Sequence, residues 1–365
     1  MLKLIKNEID MHCKMTISFL LREGEENGES KENIVDQFSN VYMETKRELL
    51  MYNIKPKDAL VWFNFRRFMD THKKEYFSRK ETLDRFKIYK KNRIAIKFWS
   101  MKEKGSAVYG ETKFSDLSPE EFKAIYLPYV WDKSIKPDVK VDVEMSENDE
   151  IPTNFDWKDH NGVTSVSNQG SCGDCWAESV VANIEGAWAK KTGDLLKFSV
   201  QEVVDCDVVD MACNGGLPQQ AYKEIIRIGG LELEEKYPYE GRLKTCRWDV
   251  KQKAAYINGS VLLPQDEEKM KIWLFKNNAI SVGINANPLQ FYRHGIFHPW
   301  KMFCSPNMLN HAVLITGFGV EEKTGKQFWI IKNSWGMWGE KGYFRMFRGQ
   351  NVCGITEMAT SAIIN

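Results

Sequence analysis

Gln169-Gly170-Ser171-Cys172-Gly173-Asp174-Cys175-Trp176, followed by an apolar, Ala-rich run that closes at Glu185, is the most informative stretch of the chain. A thiol set just after a Gly-rich turn and at the start of a helix sits where unpaired backbone N–H groups and the helix dipole favour negative charge. A thiolate nucleophile requires that environment. The same eight residues would also suit a structural cysteine that never reacts, so the decision passes to the rest of the sequence.

At 365 residues the chain is long enough for more than one domain with its own core. Lys and Arg number 51 against 50 Asp and Glu, a net charge of +1, which speaks against nucleic acid or an anionic membrane as the main partner. No apolar run approaches the roughly 18 residues of a membrane span. Of the eight cysteines, Cys13 stands alone and the other seven fall between Cys172 and Cys353. An odd number leaves one thiol free if the rest pair, the pattern of an oxidising compartment with one reactive cysteine. Spacing alone does not say which cysteines pair. Asn258-Gly259-Ser260 is a glycosylation sequon and agrees with a secretory route. Residues 1–21 do not: they carry Lys3, Lys6, Glu8, Asp10 and Lys14, and their apolar run Ile17–Leu21 is shorter than the roughly 7 to 15 residues of a signal-peptide core. Either the signal is atypical or the primary product starts elsewhere.

Four regions follow from the texture of the sequence. Residues 1–58 form an N-terminal extension, polar and expected to be disordered over 22–33. Residues 59–130 contain two aromatic-rich amphipathic helices, one from about Ala59 and one over Arg79 to Lys104, then a strand-like piece from Tyr109 and a helix start at Ser118-Pro119-Glu120-Glu121. Residues 131–150, rich in Asp, Glu, Lys and Pro, read as an exposed linker open to proteolysis. From 151 to 365 the pattern is α+β: helices after Cys175, over Ser199–Asp205 and over Leu217–Ile228, then strands at Ala279–Ala286, His311–Gly319, Phe328–Asn333 and Gly342–Phe347. A helical lobe followed by a β-rich lobe puts the natural site in the cleft between them.

Three further motifs complete a resemblance: Asn310-His311-Ala312-Val313, Asn333-Ser334-Trp335-Gly336 and Cys213-Asn214-Gly215-Gly216. With the octet, they make residues 151–365 similar to the papain-like cysteine proteases, and residues 60–127 similar to the inhibitory prodomain of that family. Within it the chain resembles the cathepsin F branch, through Thr112-Lys-Phe-Ser-Asp-Leu117, Ile125-Tyr-Leu127 and Gln290-Phe-Tyr-Arg-His-Gly295. The resemblance implies a two-lobed papain-like fold, helical on the left and β-barrel-like on the right, behind a small α-helical inhibitory prodomain. It implies that Cys175 is the nucleophile, His311 its base and later the acid, Asn333 the residue that orients the imidazole, and Trp335 the shield over that hydrogen bond. Gln169 would donate to the oxyanion together with the Cys175 N–H. The family pairs Cys172 with Cys213, Cys206 with Cys246 and Cys304 with Cys353, which leaves Cys175 free. A redox or zinc site would need Cys172 and Cys175 together, and this pairing separates them. Neither a cofactor nor a metal is implied.

Gly215 and Gly216 would let an extended peptide lie along the backbone. Leu217, Pro218, Gly283, Ala312 and Met358 would line an apolar pocket for the second residue before the scissile bond, admitting Leu, Val or Phe and not a basic residue. In the prodomain, Glu81, Arg85, Tyr89, Asn92, Ile96 and Ser100 match the long-helix motif, and Gly110, Thr112, Phe114 and Asp116 match the second motif. In the family this segment lies backwards in the cleft, and acid loosens it as carboxylates protonate. Peptide and protein substrates, cystatin-type inhibitors, a monomer and a lysosomal or secreted location are implied as well.

The departures from the family pattern are as informative. Asp174 replaces Ser or Ala and is expected to face solvent, where its effect on the thiol would be small. Glu178 replaces a Phe on the central helix, and a buried carboxyl there needs a polar partner. One residue, Met337, stands between Gly336 and Trp338 where the family has two, which threatens the placement of the Trp338 ring. Ala212 replaces a Gly. The expected function is a cysteine endopeptidase made as an inactive precursor and acting through a thioester. The alternatives are a catalytically impaired homologue that serves as a binding or decoy protein, and an inert disulfide-rich module.

Overall fold

A computed structural model describes residues 47–128, 132, 135, 139–144 and 150–365. Most of the N-terminal extension and parts of the linker lie outside these residues. By compactness the chain divides into two units, Met1–Ile94 with Ser115–Leu117, and Ala95–Phe114 with Ser118–Asn365.

The first unit is built on α1 (Ala59–Thr71) and the first part of α2 (Arg79–Met101). Trp62, Phe65 and Phe68 recur at the three-residue steps of one helical face and are fully buried. Phe86 and Tyr89 from α2 meet them, with ring centroids 5.0 Å apart for Trp62–Phe86 and 5.3 Å for Phe68–Tyr89. Arg85 and Asn92 serve the second motif. Arg85 Nη1 donates to the Asp116 carbonyl at 3.1 Å, and Asn92 Nδ2 donates to the carbonyls of Ser115 (2.8 Å) and Leu117 (2.7 Å). The Asp116 carboxylate is held by Tyr76 (2.8 Å) and Lys74 (3.1 Å).

The second unit carries the rest. β1 (Val108–Tyr109) precedes α3 (Pro119–Tyr126), which opens with the expected capping box: Glu121 N donates to Ser118 Oγ, and Ser118 N to the Glu121 carboxylate. After β2 (Phe155–Asp156) come the helices α4 (Cys175–Thr192), α5 (Val200–Cys206) and α6 (Pro218–Arg227). They pack through Trp176, Val180, Ile184, Val203, Tyr222 and Ile225 into one buried cluster. The short pair β3 (Leu231–Glu232) and β4 (Lys253–Ala255) follows, then β5 (Gly259–Leu262) and α7 (Glu267–Lys276). The remaining strands are β6 (Ile280–Ile284), β7 (Tyr292–His294), β8 (Ile296–Phe297), β9 (His311–Val320), β10 (Gln327–Lys332), β11 (Tyr343–Phe347) and β12 (Ala359–Ile363). The main sheet runs β5-β12-β6-β9-β10-β11-β8, while β7 pairs with β1 instead. β9 is buried over nearly its whole length, which is why its sequence is mostly apolar without alternation, His311 and Thr316 apart.

The linker departs from its reading as merely exposed. Leu262 N donates to the Val139 carbonyl at 2.8 Å and Val141 N to the Leu262 carbonyl at 3.2 Å, so residues 139–141 lie parallel to β5 along its edge. Val143 is buried, and Lys269 grips Asp142 at 2.5 Å. The alternating valines at 139, 141 and 143 are a short strand signal within a charged stretch.

Candidate active site

Three parts of the fold supply the expected residues. Cys175 is the first residue of α4, and the backbone N–H of Trp176 in that first turn acts on its sulfur. His311 opens β9 and Asn333 immediately follows β10; because the two strands are antiparallel with Leu314 opposite Lys332, these two ends lie side by side. His311 Nε2 lies 2.8 Å from Asn333 Oδ1. That contact requires the proton on Nε2 and leaves Nδ1 of the neutral ring as the basic nitrogen; Nδ1 is buried and has no partner among the described residues. The N–H of the adjoining Ala312 approaches Cys175 Sγ at 3.5 Å. Trp335 is fully buried and stacks on the imidazole at 4.7 Å and 27°. Trp338 meets Trp335 edge-on at 4.8 Å, so the loop with one residue at Met337 still delivers that ring to the site.

Gln169 is fixed at both ends of its amide. Ser334 Oγ donates to Oε1 at 2.7 Å and Nε2 donates to the Cys172 carbonyl at 2.7 Å, which leaves a second N–H on Nε2. Disulfides join Cys172 to Cys213, Cys206 to Cys246 and Cys304 to Cys353, and Cys175 is the one free cysteine among the described residues. The first bridge ties the octet to the segment that carries Gly215 and Gly216. Gly215 has φ of 107°, a value that suits glycine, and a Cβ on Gly216 would strike the Trp176 ring. Ala212 has φ of 50° in the same segment, the region in which the family's glycine is at ease and a methyl is strained.

Leu217, Ala312 and Met358 gather around Cys175 as one buried apolar cluster. Leu309, which the sequence reading missed, completes it. Gly283 pairs across from Ala312 and donates its N–H to the Met358 carbonyl at 2.9 Å. Pro218 is buried at the start of α6. The cavity beside this cluster measures about 610 Å³, and its lining includes the polar side chains of Gln219, Gln265 and Glu357.

The segment ahead of the peptidase region covers these groups. Phe114, Phe122 and Tyr126 pack against Trp335 with centroids 5.4, 5.4 and 6.1 Å away. Pro128 presses on Gly173, where a Cβ would have no room. Ile135 packs onto the Cys175 cluster. Burial beneath this cover pushes the Cys175 thiol up to about 12 and His311 down to about 4, the latter partly offset by Asn333. Both shifts favour the neutral thiol and the neutral imidazole over the ion pair.

Asp174 does not face solvent. It is fully buried, with Oδ2 2.7 Å from the Tyr239 hydroxyl, because Tyr239 folds over it from a distant segment. Its carboxyl is pushed well above the usual range, first by burial and then by Glu178. Glu178 has the polar partner it needs: Ser167 Oγ donates to its carboxyl at 2.6 Å, and Lys332 offsets part of its burial. Burial still raises Glu178 to about 7. Glu185 accepts from Thr164 (2.5 Å) and from Phe198 N (3.0 Å), and the buried Lys332 donates to Thr164 at 3.0 Å. Thr164, Ser167, Glu178, Glu185 and Lys332 line a cavity of about 200 Å³. Among the described residues no group of three or more His, Cys, Asp or Glu could hold a metal ion, and no helix is long and apolar enough to cross a membrane.

Comparison with known proteins agrees with this geometry. Residues 151–363 match the family described as papain family cysteine protease, and residues 65–122 match the cathepsin propeptide inhibitor domain (I29). Cathepsin F of Mus musculus is 44% identical over 91% of this chain and 71% of its own length. Cathepsin F of Drosophila melanogaster is 44% identical over 82% of this chain, which spans half of that protein. Among solved structures, a digestive procathepsin L 3 from Tenebrio molitor larval midgut is 32% identical with a TM-score of 0.74, covering 84% of this chain and 99% of its own. A recombinant stem bromelain precursor is 32% identical with a TM-score of 0.73, again over 84% of this chain and 99% of its own. The chain belongs to the papain family of cysteine proteases and carries an inhibitor propeptide ahead of its peptidase domain.

Proposed function

We propose that the protein is a precursor endopeptidase in which Cys175 attacks the peptide carbonyl and forms a thioester. The observation that carries this reading is the 2.8 Å bond from His311 to Asn333 beside the one described cysteine left free. Once the cleft is uncovered, His311 takes the thiol proton and the thiolate adds to the carbonyl carbon. The second N–H of Gln169 Nε2 and the N–H of Cys175 receive the oxyanion. The imidazolium then gives its proton to the leaving amine; water, deprotonated by the same imidazole, releases the acid and restores the thiol. Trp335 keeps water from the His311–Asn333 bond.

The substrate lies along Gly215 and Gly216, and the cluster of Leu217, Pro218, Gly283, Ala312 and Met358 accepts an apolar side chain two residues before the cut. Removal of the propeptide, with a cut in the linker between about 131 and 150, supplies the mature enzyme. The paired cysteines and the sequon at Asn258 support a lysosomal or secreted, glycosylated product, and the family resemblance supports a monomer open to cystatin-type inhibitors.

The competing reading, an impaired homologue, draws on the two buried carboxyls Asp174 and Glu178 near the thiol. One assay separates them. Acid-processed protein is expected to hydrolyse Leu-Arg and Phe-Arg fluorogenic peptides, and Cys175→Ala to abolish hydrolysis. A substrate panel should favour Leu, Val or Phe over Arg at the second position. Processed wild type that leaves these peptides intact, or a Cys175→Ala protein that still cleaves them, sinks the enzyme reading; equal use of Arg and Leu sinks the pocket assignment alone.

A further inference from the structure

We propose that Asp174 works as a neutral acid that donates its proton to Tyr239, so that Tyr239 in turn clamps the Gln169 turn to the start of the nucleophile helix. This rests on the reading that Gln169 and Cys175 form the oxyanion site. The geometry makes the case through one proton. The Tyr239 hydroxyl lies 2.7 Å from Asp174 Oδ2 and 3.0 Å from the Gln169 carbonyl. A carbonyl can only accept, and an ionised carboxylate can only accept, but a hydroxyl has a single hydrogen to give. Both contacts are satisfied together when the proton on Oδ2 goes to the tyrosine oxygen and the tyrosine hydrogen goes to the Gln169 carbonyl.

The surroundings agree. Asp174 is fully buried, its Oδ1 has no partner, and it forms no ion pair among the described residues. The titratable groups that face it are Cys175 and Glu178 on α4 and Tyr239 across from them. Glu178 acts against its ionisation, and Asp174 in turn acts on Cys175. An ionised Asp174 would be a buried charge with one hydrogen bond; a neutral one loses far less.

The chemical consequence has two parts. A neutral Asp174 adds no negative charge beside Cys175, so it does not hinder thiolate formation. The relay also fixes the backbone carbonyl of Gln169, whose side chain is held by Cys172 and Ser334. Asp174 and Tyr239 are thus positioning residues for the oxyanion donor.

The test uses acid-processed enzyme and two readouts: kcat and KM on a Phe-Arg peptide, and the pH dependence of Cys175 alkylation by iodoacetamide. Asp174→Asn removes no charge under the proposal, so the alkylation midpoint should stay within about 0.3 pH unit of wild type. If Asp174 were ionised, its removal should lower that midpoint by about one unit or more, which overturns the proposal. Tyr239→Phe should lower kcat about tenfold while KM changes less than about twofold, with the alkylation midpoint unmoved. Unchanged kcat in Tyr239→Phe overturns the clamp. Asp174→Ser keeps a hydroxyl donor and serves if the Asn variant does not fold; if neither folds, Tyr239→Phe decides. Wild type that neither cleaves nor alkylates would instead defeat the underlying assignment of the site.

Discussion

Glu178 shows how one side chain can tie the fold to pH. Its carboxyl replaces an aromatic ring on a helix that is buried on nearly every side, and it meets Ser167 and the field of Lys332. Burial outweighs both and raises it to about 7 from 4.5. A folded value above the unfolded one means that the native state favours the protonated form. The contribution is fully present below pH 4.5 and is lost as pH rises through 7. A shift of that size corresponds to roughly 3 kcal/mol. Glu178→Gln, made in a Cys175→Ala background to prevent self-digestion, should match the parent in denaturant unfolding at pH 4.5 and exceed it by up to roughly 3 kcal/mol at pH 8. A difference that stays flat between those pH values would remove this account. Glu178 was visible in the sequence as an anomaly because its helix reads as central. The burial of Asp174 was not, because it depends on Tyr239, 65 residues away, which no local pattern couples to the octet.

Elements were legible where their periodicity was long. The spacing of Trp62, Phe65 and Phe68, the Ser118–Glu121 box and the apolar run of β9 all reach the structure as read. Short strands such as β7 and β8 were not, since two or three residues carry no period and their pairing is set by β1 and β11. The linker's exposure was legible, most of its described residues being exposed, but its contacts were not, since its overall charge concealed Ile135 and the alternating valines. These residues give the linker two anchors, an apolar one on the Cys175 cluster and a backbone one on β5. The apolar anchor competes for the pocket that an apolar substrate residue would fill. Ile135→Asp should therefore leave the precursor more open, with Cys175 alkylated at least about fivefold faster at neutral pH, where a lost apolar contact is worth on the order of 1 to 2 kcal/mol. An alkylation rate equal to wild type would show that Ile135 takes no part in the cover.

At the scale of the whole chain, the question is which groups make acid release the propeptide. The general expectation that carboxylates do so holds for Asp142, whose bond to Lys269 keeps it below the usual range and whose contribution is lost as pH falls. It fails for Glu103. That half-buried carboxylate accepts from Tyr109 (2.6 Å), Gly105 N (2.6 Å) and His298 N (2.7 Å), but burial outweighs these bonds and raises it, so protonation favours the closed form. His298 carries the opposite sign. It is buried against Phe347 with ring centroids 4.2 Å apart, its backbone bonds both Glu103 and Lys104 of the propeptide, and burial together with the charges of Lys104 and Lys326 lowers it to about 4 from 6.5. A base depressed in the closed form takes up its proton when the cover lifts, so stability of the closed form is lost as pH falls from 6.5 toward 4. One such proton changes the release equilibrium by up to about tenfold per pH unit within that window. His298→Gln leaves the backbone bonds in place and removes the titrating ring, together with its stacking on Phe347 and its contact with Gln350 (3.2 Å). Its precursor should need a lower pH than wild type to reach half-processing, when followed by gel over pH 7 to 4 with a trace of active enzyme added to both. Glu103→Gln, neutral at every pH, should lower the midpoint as well or leave it in place, by the argument that applies to Glu178→Gln. Coincident curves for His298→Gln and wild type would place the acid trigger elsewhere, and a midpoint raised by the histidine change would reverse the sign argued here.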